Sequence, residues 1–349
     1  MTRMNDNDSP LNTFMKARGK VVRLSSEELV TTRFLNQEQQ LPLVIEPRID
    51  NFDLLNWVEN NRALIENKLK KCGAILFRGF KVKEISEFER FVRVVSGEAL
   101  EYNERSSPRT QISGHIYTST DYPPDKQIFL HNEQSYNLVF PMKIFFFCAK
   151  APEEGGATPI ADTRRVFGRI ANEIREHLME RKYMYTRNFG DGFGLNWQEA
   201  FQTTRKSEVE DYCRNNRIEY EWKSGNRLRT RQVREVATRH PMTEEWVWFN
   251  HLTFFHVSTL DREIQEETLH SFAEEDLPNN TYYGDGCRIE AEVMEQLREA
   301  YESEKVRFDW KEGDILMLDN MLVAHGRDPY VGTRKVAVGM AEIWSWDKA

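Results

Sequence analysis

At 349 residues, with 40% hydrophobic and 30% charged side chains, the chain is long enough to bury a core and far from the apolar-poor, charge-rich composition of disordered chains. A net charge of −8 argues against nucleic acid as the main partner, because the surface as a whole repels a phosphate backbone. The four cysteines, Cys72, Cys148, Cys213 and Cys287, form no C-x-x-C pair, which argues against a disulfide framework or a zinc knuckle and fits a reducing, cytoplasmic compartment.

In chain order, residues 1–45 read as a polar N-terminal extension, and Met1 to Pro10 lack the apolar stretch of a secretory signal. Residues 46–349 then read as one domain. Leu54, Leu55, Val58, Leu64 and Ile65 recur at helical spacing over Asn51–Lys71, and the glycine-bounded run Cys72–Phe77 reads as a buried strand. Gln127–His131, Lys143–Cys148 and Thr158–Ala161 are further short strands separated by proline and glycine. The most apolar run, Ile144–Ala149, is far shorter than the ~20 residues needed to cross a bilayer, so no membrane span is expected.

From about 163 to 240 the pattern changes to charged, partly helical segments broken by Gly190, Gly192, Gly194 and Gly225. This reads as a helical insertion and a lid over a site, and Arg227, Arg229, Arg231 and Arg234 within it read as a solvated face. Ile289, Val293, Leu297 and Tyr301 form one stripe of a helix over Ile289–Glu302. Val306–Trp310, Asp314–Leu318, Leu322–His325 and Lys335–Ile343 follow as a C-terminal set of strands. Strands on both sides of a helical insertion predict an α/β chain built on a jelly roll, or double-stranded β-helix, with flanking helices.

Of the eight histidines, only His131 has a carboxylate two residues later, Glu133, where an apolar strand runs out into polar residues. In an extended segment residues i and i+2 point to one side, so the pair can offer two adjacent ligands to a metal. A neutral nitrogen from another strand would complete the 2-His-1-carboxylate triad that leaves positions open on iron, and His325, at the end of its strand, is the best placed. His115, His251 and His256 suit pocket walls, whereas His177, His240 and His270 fall in helical or loop surroundings. Zinc in a hydrolase and a structural metal in a non-catalytic jelly roll would accept the same three donors, so the triad alone selects neither metal nor reaction.

Five segments narrow that choice. Glu104-Arg105-Ser106-Ser107-Pro108-Arg109-Thr110, Ile116–Thr120, Leu130–Tyr136, Gly155-Gly156-Ala157-Thr158-Pro159 and Asp319–Arg327 together resemble the TauD/TfdA, or taurine dioxygenase-like, superfamily over about Cys72 to Ile343. They look most like its branch associated with nonribosomal-peptide and amino-acid natural products. The resemblance implies Fe(II), 2-oxoglutarate as co-substrate and O2, with iron on His131, Glu133 and His325. It places Thr158 and Arg334 on the 2-oxoglutarate carboxylate, roles that suit a hydroxyl donor and a guanidinium fork.

The implied reaction is hydroxylation of an unactivated carbon of an amino acid, free or presented by a carrier protein, with release of succinate and CO2. Glu133 favours hydroxylation over halogenation, because related halogenases lack that carboxylate; desaturation or another rebound-free oxidation stays open. One departure concerns the substrate's anionic anchor: a second arginine common in the superfamily is missing from Lys335–Gly339. Arg105 and Arg109 are the expected replacements, with Asn132, Ser135 and Asn250 as polar substrate contacts. The sequence leaves the oligomeric state open.

Overall fold

The computed structural model describes residues 28–100, 111–118, 122–190 and 195–346. Its main sheet has eight strands in the order Val30–Asn36, Leu41–Pro47, Ala74–Phe77, Ile315–Asp319, Val139–Lys150, Lys335–Ser345, Ile116–Thr118 and Gln111–Ser113. Strand alternation sorts the side chains of its central strands into two cores. Phe145, Phe147, Ile315, Met317 and Ala337 face the helices Leu54–Asn60, Arg62–Cys72 and Ile85–Ser96, meeting Trp57, Ile65, Leu69, Phe88 and Phe91. Their neighbours Ile144, Phe146, Leu316, Leu318, Val336 and Val338 face the other way, onto Ile160, Val306 and Val323.

Those last three residues belong to a four-stranded sheet in the order Lys305–Val306, Ile160–Asp162, Val323–Arg327 and Ile128–His131. Two sheets packed face to face from interleaved segments make the expected jelly roll. The expected helix over 51–71 is two helices. Asn61, between them, takes a non-helical conformation (φ −125°, ψ 21°), and its side chain donates to the Trp57 carbonyl as a C-cap.

The boundary at residue 45 is corrected. Val30–Asn36 and Leu41–Pro47 form a hairpin that joins the main sheet through parallel pairing with Ala74–Phe77, and Val44 and Ile45 are fully buried. The insertion differs as well: it contains a four-stranded antiparallel sheet, Glu219–Lys223, Arg227–Arg234, Tyr183–Phe189 and Asn279–Tyr283, whose last strand comes from well beyond residue 240. Tyr183, Tyr185 and Tyr283 on that sheet pack with Leu130, Tyr136, Leu252 and Ala324. The insertion therefore stands directly beside the strands that carry His131 and His325. No helix among the described residues is long and apolar enough to cross a membrane.

Candidate metal centre

Ile128–His131 and Val323–Arg327 are antiparallel neighbours, and His131 and His325 are register partners with ring centroids 4.5 Å apart. Glycine at 326 is what allows this approach, since a Cβ there would lie 2.6 Å from the Ile128 carbonyl oxygen. The His131 Nδ1–H donates to the Phe129 carbonyl at 2.8 Å, which leaves Nε2 as the nitrogen that could take a metal. Glu133 does not lie on the strand. The chain enters a turn after His131, with Gln134 at φ 54°, so the carboxylate reaches the site from the turn and not from strand alternation.

The three side chains converge. One ligand atom each from His131, Glu133 and His325 all lie within 4.8 Å of one another, and the three residues are 9%, 3% and 4% exposed. Two imidazoles and a carboxylate gathered on one side fit a facial triad with open positions for exogenous ligands.

A second cluster forms around Thr158. The Gly155-Gly156 turn has positive φ at both residues, and a Cβ on Gly156 would press on Tyr330 and on the Arg334 side chain. The Arg334 guanidinium donates through Nε to the Gly156 carbonyl (2.9 Å) and through Nη2 to Thr158 Oγ1 (3.1 Å). Trp310 Nε1 donates to the same hydroxyl oxygen at 3.1 Å, so Thr158 accepts twice and keeps its own proton to donate. Burial, with the positive charge of Arg327 nearby, pushes the Arg334 pKa down to about 10. A desolvated cation of this kind favours a carboxylate ligand. Arg327 is committed elsewhere: its guanidinium donates to the carbonyls of Tyr122, Pro123 and Lys126.

Aromatic side chains wall the metal side. The Phe254 ring lies 4.5 Å and the His251 ring 5.6 Å from that of His131, and Phe255 stacks on Tyr185 at 4.2 Å. Burial, and secondarily His131, holds the His251 pKa well below its usual value, so this ring stays neutral. Ser135 Oγ sits 2.6 Å from His251 Nδ1, placing the serine behind the histidine.

Two of the expected substrate contacts bond the backbone. Asn250 uses both ends of its amide on the backbone, donating to the Val236 carbonyl and accepting from the Leu252 N–H, so it holds a turn. Asn132, fully buried, donates to the Asn320 carbonyl. Arg105 and Arg109 lie outside the described residues. Sequence reasoning took Asp319 and Asn320 only as part of the segment Asp319–Arg327 and missed the Asn320 side chain, which bonds the backbone of Glu133. Nothing local signals a contact between residues that far apart in the chain.

The taurine catabolism dioxygenase TauD, TfdA family matches residues 37–340. This chain belongs to that family. It is an oxidoreductase of the family's dioxygenase class. It is 42% identical over 278 residues, 80% of this chain and 84% of the relative, to the dapdiamide synthesis protein DdaC of Enterobacter agglomerans. It is also 27% identical to a clavaminate synthase-like protein of Arabidopsis thaliana, over 82% of this chain and 86% of that one. Among solved structures, PvcB of Pseudomonas aeruginosa superposes with a TM-score of 0.55 at 15% identity, covering 92% of this chain and 94% of that one, which supports the fold.

Proposed function

We propose that this TauD/TfdA oxygenase hydroxylates an unactivated carbon of an amino acid, free or held as a thioester on a carrier protein, in natural-product biosynthesis. The observation that carries the reading is the meeting of His131, Glu133 and His325 at one point, with a Thr158–Arg334 pair in the same jelly roll. The relative DdaC, a dapdiamide synthesis protein, supports the biosynthetic setting. Fe(II), 2-oxoglutarate and O2 are the cofactor and co-substrates.

In this reading His131 Nε2, a Glu133 oxygen and His325 hold Fe(II), while Thr158 and Arg334 hold the distal carboxylate of 2-oxoglutarate. When bound there, Fe(II) and 2-oxoglutarate would supply the O2 chemistry that oxidises the substrate carbon, with succinate and CO2 as the co-products. The chain's own residues supply the rest. The Phe129 carbonyl fixes the tautomer of His131. The neutral His251 and the Phe254 and Phe255 rings exclude water from the metal side, and Ser135 holds the His251 ring in place.

A panel of free amino acids and their carrier-protein thioesters, incubated with Fe(II), 2-oxoglutarate and O2, tests the proposal by mass spectrometry. A product heavier by one oxygen, formed in step with succinate, is expected. A product lighter by two hydrogens would replace hydroxylation with desaturation, and 2-oxoglutarate turnover that no amino-acid substrate stimulates would overturn the substrate class.

A further inference from the structure

The metal triad is assembled from two distant parts of the chain, and one buried side chain ties them together. Asn320 is fully buried in the turn between the strands Ile315–Asp319 and Val323–Arg327, five residues before His325. Its Oδ1 accepts the Glu133 N–H at 2.8 Å, and its Nδ2 donates to the Glu133 carbonyl at 2.9 Å and to the Pro141 carbonyl at 2.8 Å. The oxygen faces one N–H and the NH2 faces two carbonyls, so only one orientation of the amide satisfies all three bonds. The backbone of Asn320 joins in: its N–H donates to the Met142 carbonyl, and its carbonyl accepts from Asn132 Nδ2.

The turn that holds Asn320 is itself fixed. Asp319 Oδ1 accepts the N–H groups of Met321 and Leu322, and Asp319 Oδ2 faces His240 Nε2 at 3.1 Å. Because Glu133 lies in a turn beyond its strand, the sheet ladder does not set its backbone; Asn320 bonds the two peptide groups that flank its Cα.

We infer that Asn320 is a positioning residue: it sets where the Glu133 carboxylate stands relative to the two histidines. This inference rests on His131, Glu133 and His325 being the metal ligands. Groups that orient a ligand commonly tune metal affinity by about tenfold to a hundredfold.

The test is a Co(II) titration of metal-free protein, followed by its visible absorption, on wild type, Asn320→Ala, Glu133→Ala and the double variant. Asn320→Asp serves as a second variant, since it keeps an acceptor for the Glu133 N–H but loses both donated bonds. His240→Gln controls for loosening of the same turn. Asn320→Ala and Asn320→Asp should each weaken Co(II) binding about tenfold or more, within the range for ligand-orienting groups. In the Glu133→Ala background, Asn320→Ala should change affinity by less than about twofold, the signature of an effect acting through Glu133.

His240→Gln should lower the melting temperature while leaving Co(II) affinity within about twofold of wild type. An equal loss of affinity with and without the Glu133 carboxylate, or an equal loss in His240→Gln, would reduce Asn320 to a fold residue and overturn the inference. Wild type that binds no Co(II) would instead sink the assignment of the ligands.

Discussion

Arg334 is the residue whose environment says most about its ligand. It is a largely buried guanidinium held against Gly156 and Thr158, with its pKa lowered to about 10 by desolvation and by Arg327. It remains protonated at neutral pH. Because its folded-state pKa lies below the ordinary arginine value, folding disfavours its charged form at every pH below about 10, and a bound carboxylate relieves that cost. Arg334→Ala should weaken 2-oxoglutarate binding about tenfold to a hundredfold, the equivalent of losing charged hydrogen bonds of about 1.5–3 kcal/mol. Wild-type affinity should hold from pH 7 to 9 and fall as pH rises through about 10; calorimetric titration across that range checks both outcomes.

The legibility of the site at this scale followed the range of each interaction. His131 and Glu133 stood out because their spacing is local. His325 was reached from its place at a strand end, whereas the role of Arg334 needed a family resemblance, since its contact with Thr158 joins residues far apart in the chain. The backbone bonds of Asn250 and Asn132 were not legible, because a buried asparagine beside a site serves the backbone as readily as a ligand.

At the scale of elements, the N-terminal hairpin carries a stability prediction. Ile45 is fully buried and pairs with Phe77 inside the main sheet, one strand in from its edge. Ile45→Ala should cost about 2–5 kcal/mol in chemical unfolding. A chain beginning at residue 48 would bare the edge of Ala74–Phe77 and should lose its cooperative transition and aggregate. Retention of a wild-type transition by that truncation would return the hairpin to the status of an extension.

The hairpin escaped the sequence reading because Val30–Asn36 is an edge strand that mixes polar and apolar residues and is mostly half-buried, and Leu41–Pro47 is short and interrupted by Pro42. The insertion was misread for a related reason. Arg227, Arg229 and Arg231 alternate with period two, which marks a strand, but their charge suggested a solvated face. Arg229 is in fact buried and bonded to Asn188 and Asp276, while Arg231 lies near Glu221. The central strands, by contrast, were apparent from their continuous apolar runs, which follow from burial on both faces.

Across the whole molecule, the jelly roll is what lets residues from 131 to 334 share one small volume. Two sheets with interleaved strands bring the His131 turn, the Thr158 turn and the His325 strand together, and the insertion's aromatic side chains pack on that assembly. The fold class was legible because strand runs flanked a segment of different composition; the insertion's own sheet was not, since its last strand is contributed from outside the segment. Anaerobic addition of Fe(II) and then 2-oxoglutarate to metal-free protein, followed through the weak visible charge-transfer band of the chelate, tests the account most directly. Wild type should develop the band, His131→Ala should not, and Arg334→Ala should need far more 2-oxoglutarate to reach it. A wild-type protein that stays colourless at saturating Fe(II) and 2-oxoglutarate, or a band that survives His131→Ala unchanged, would contradict it.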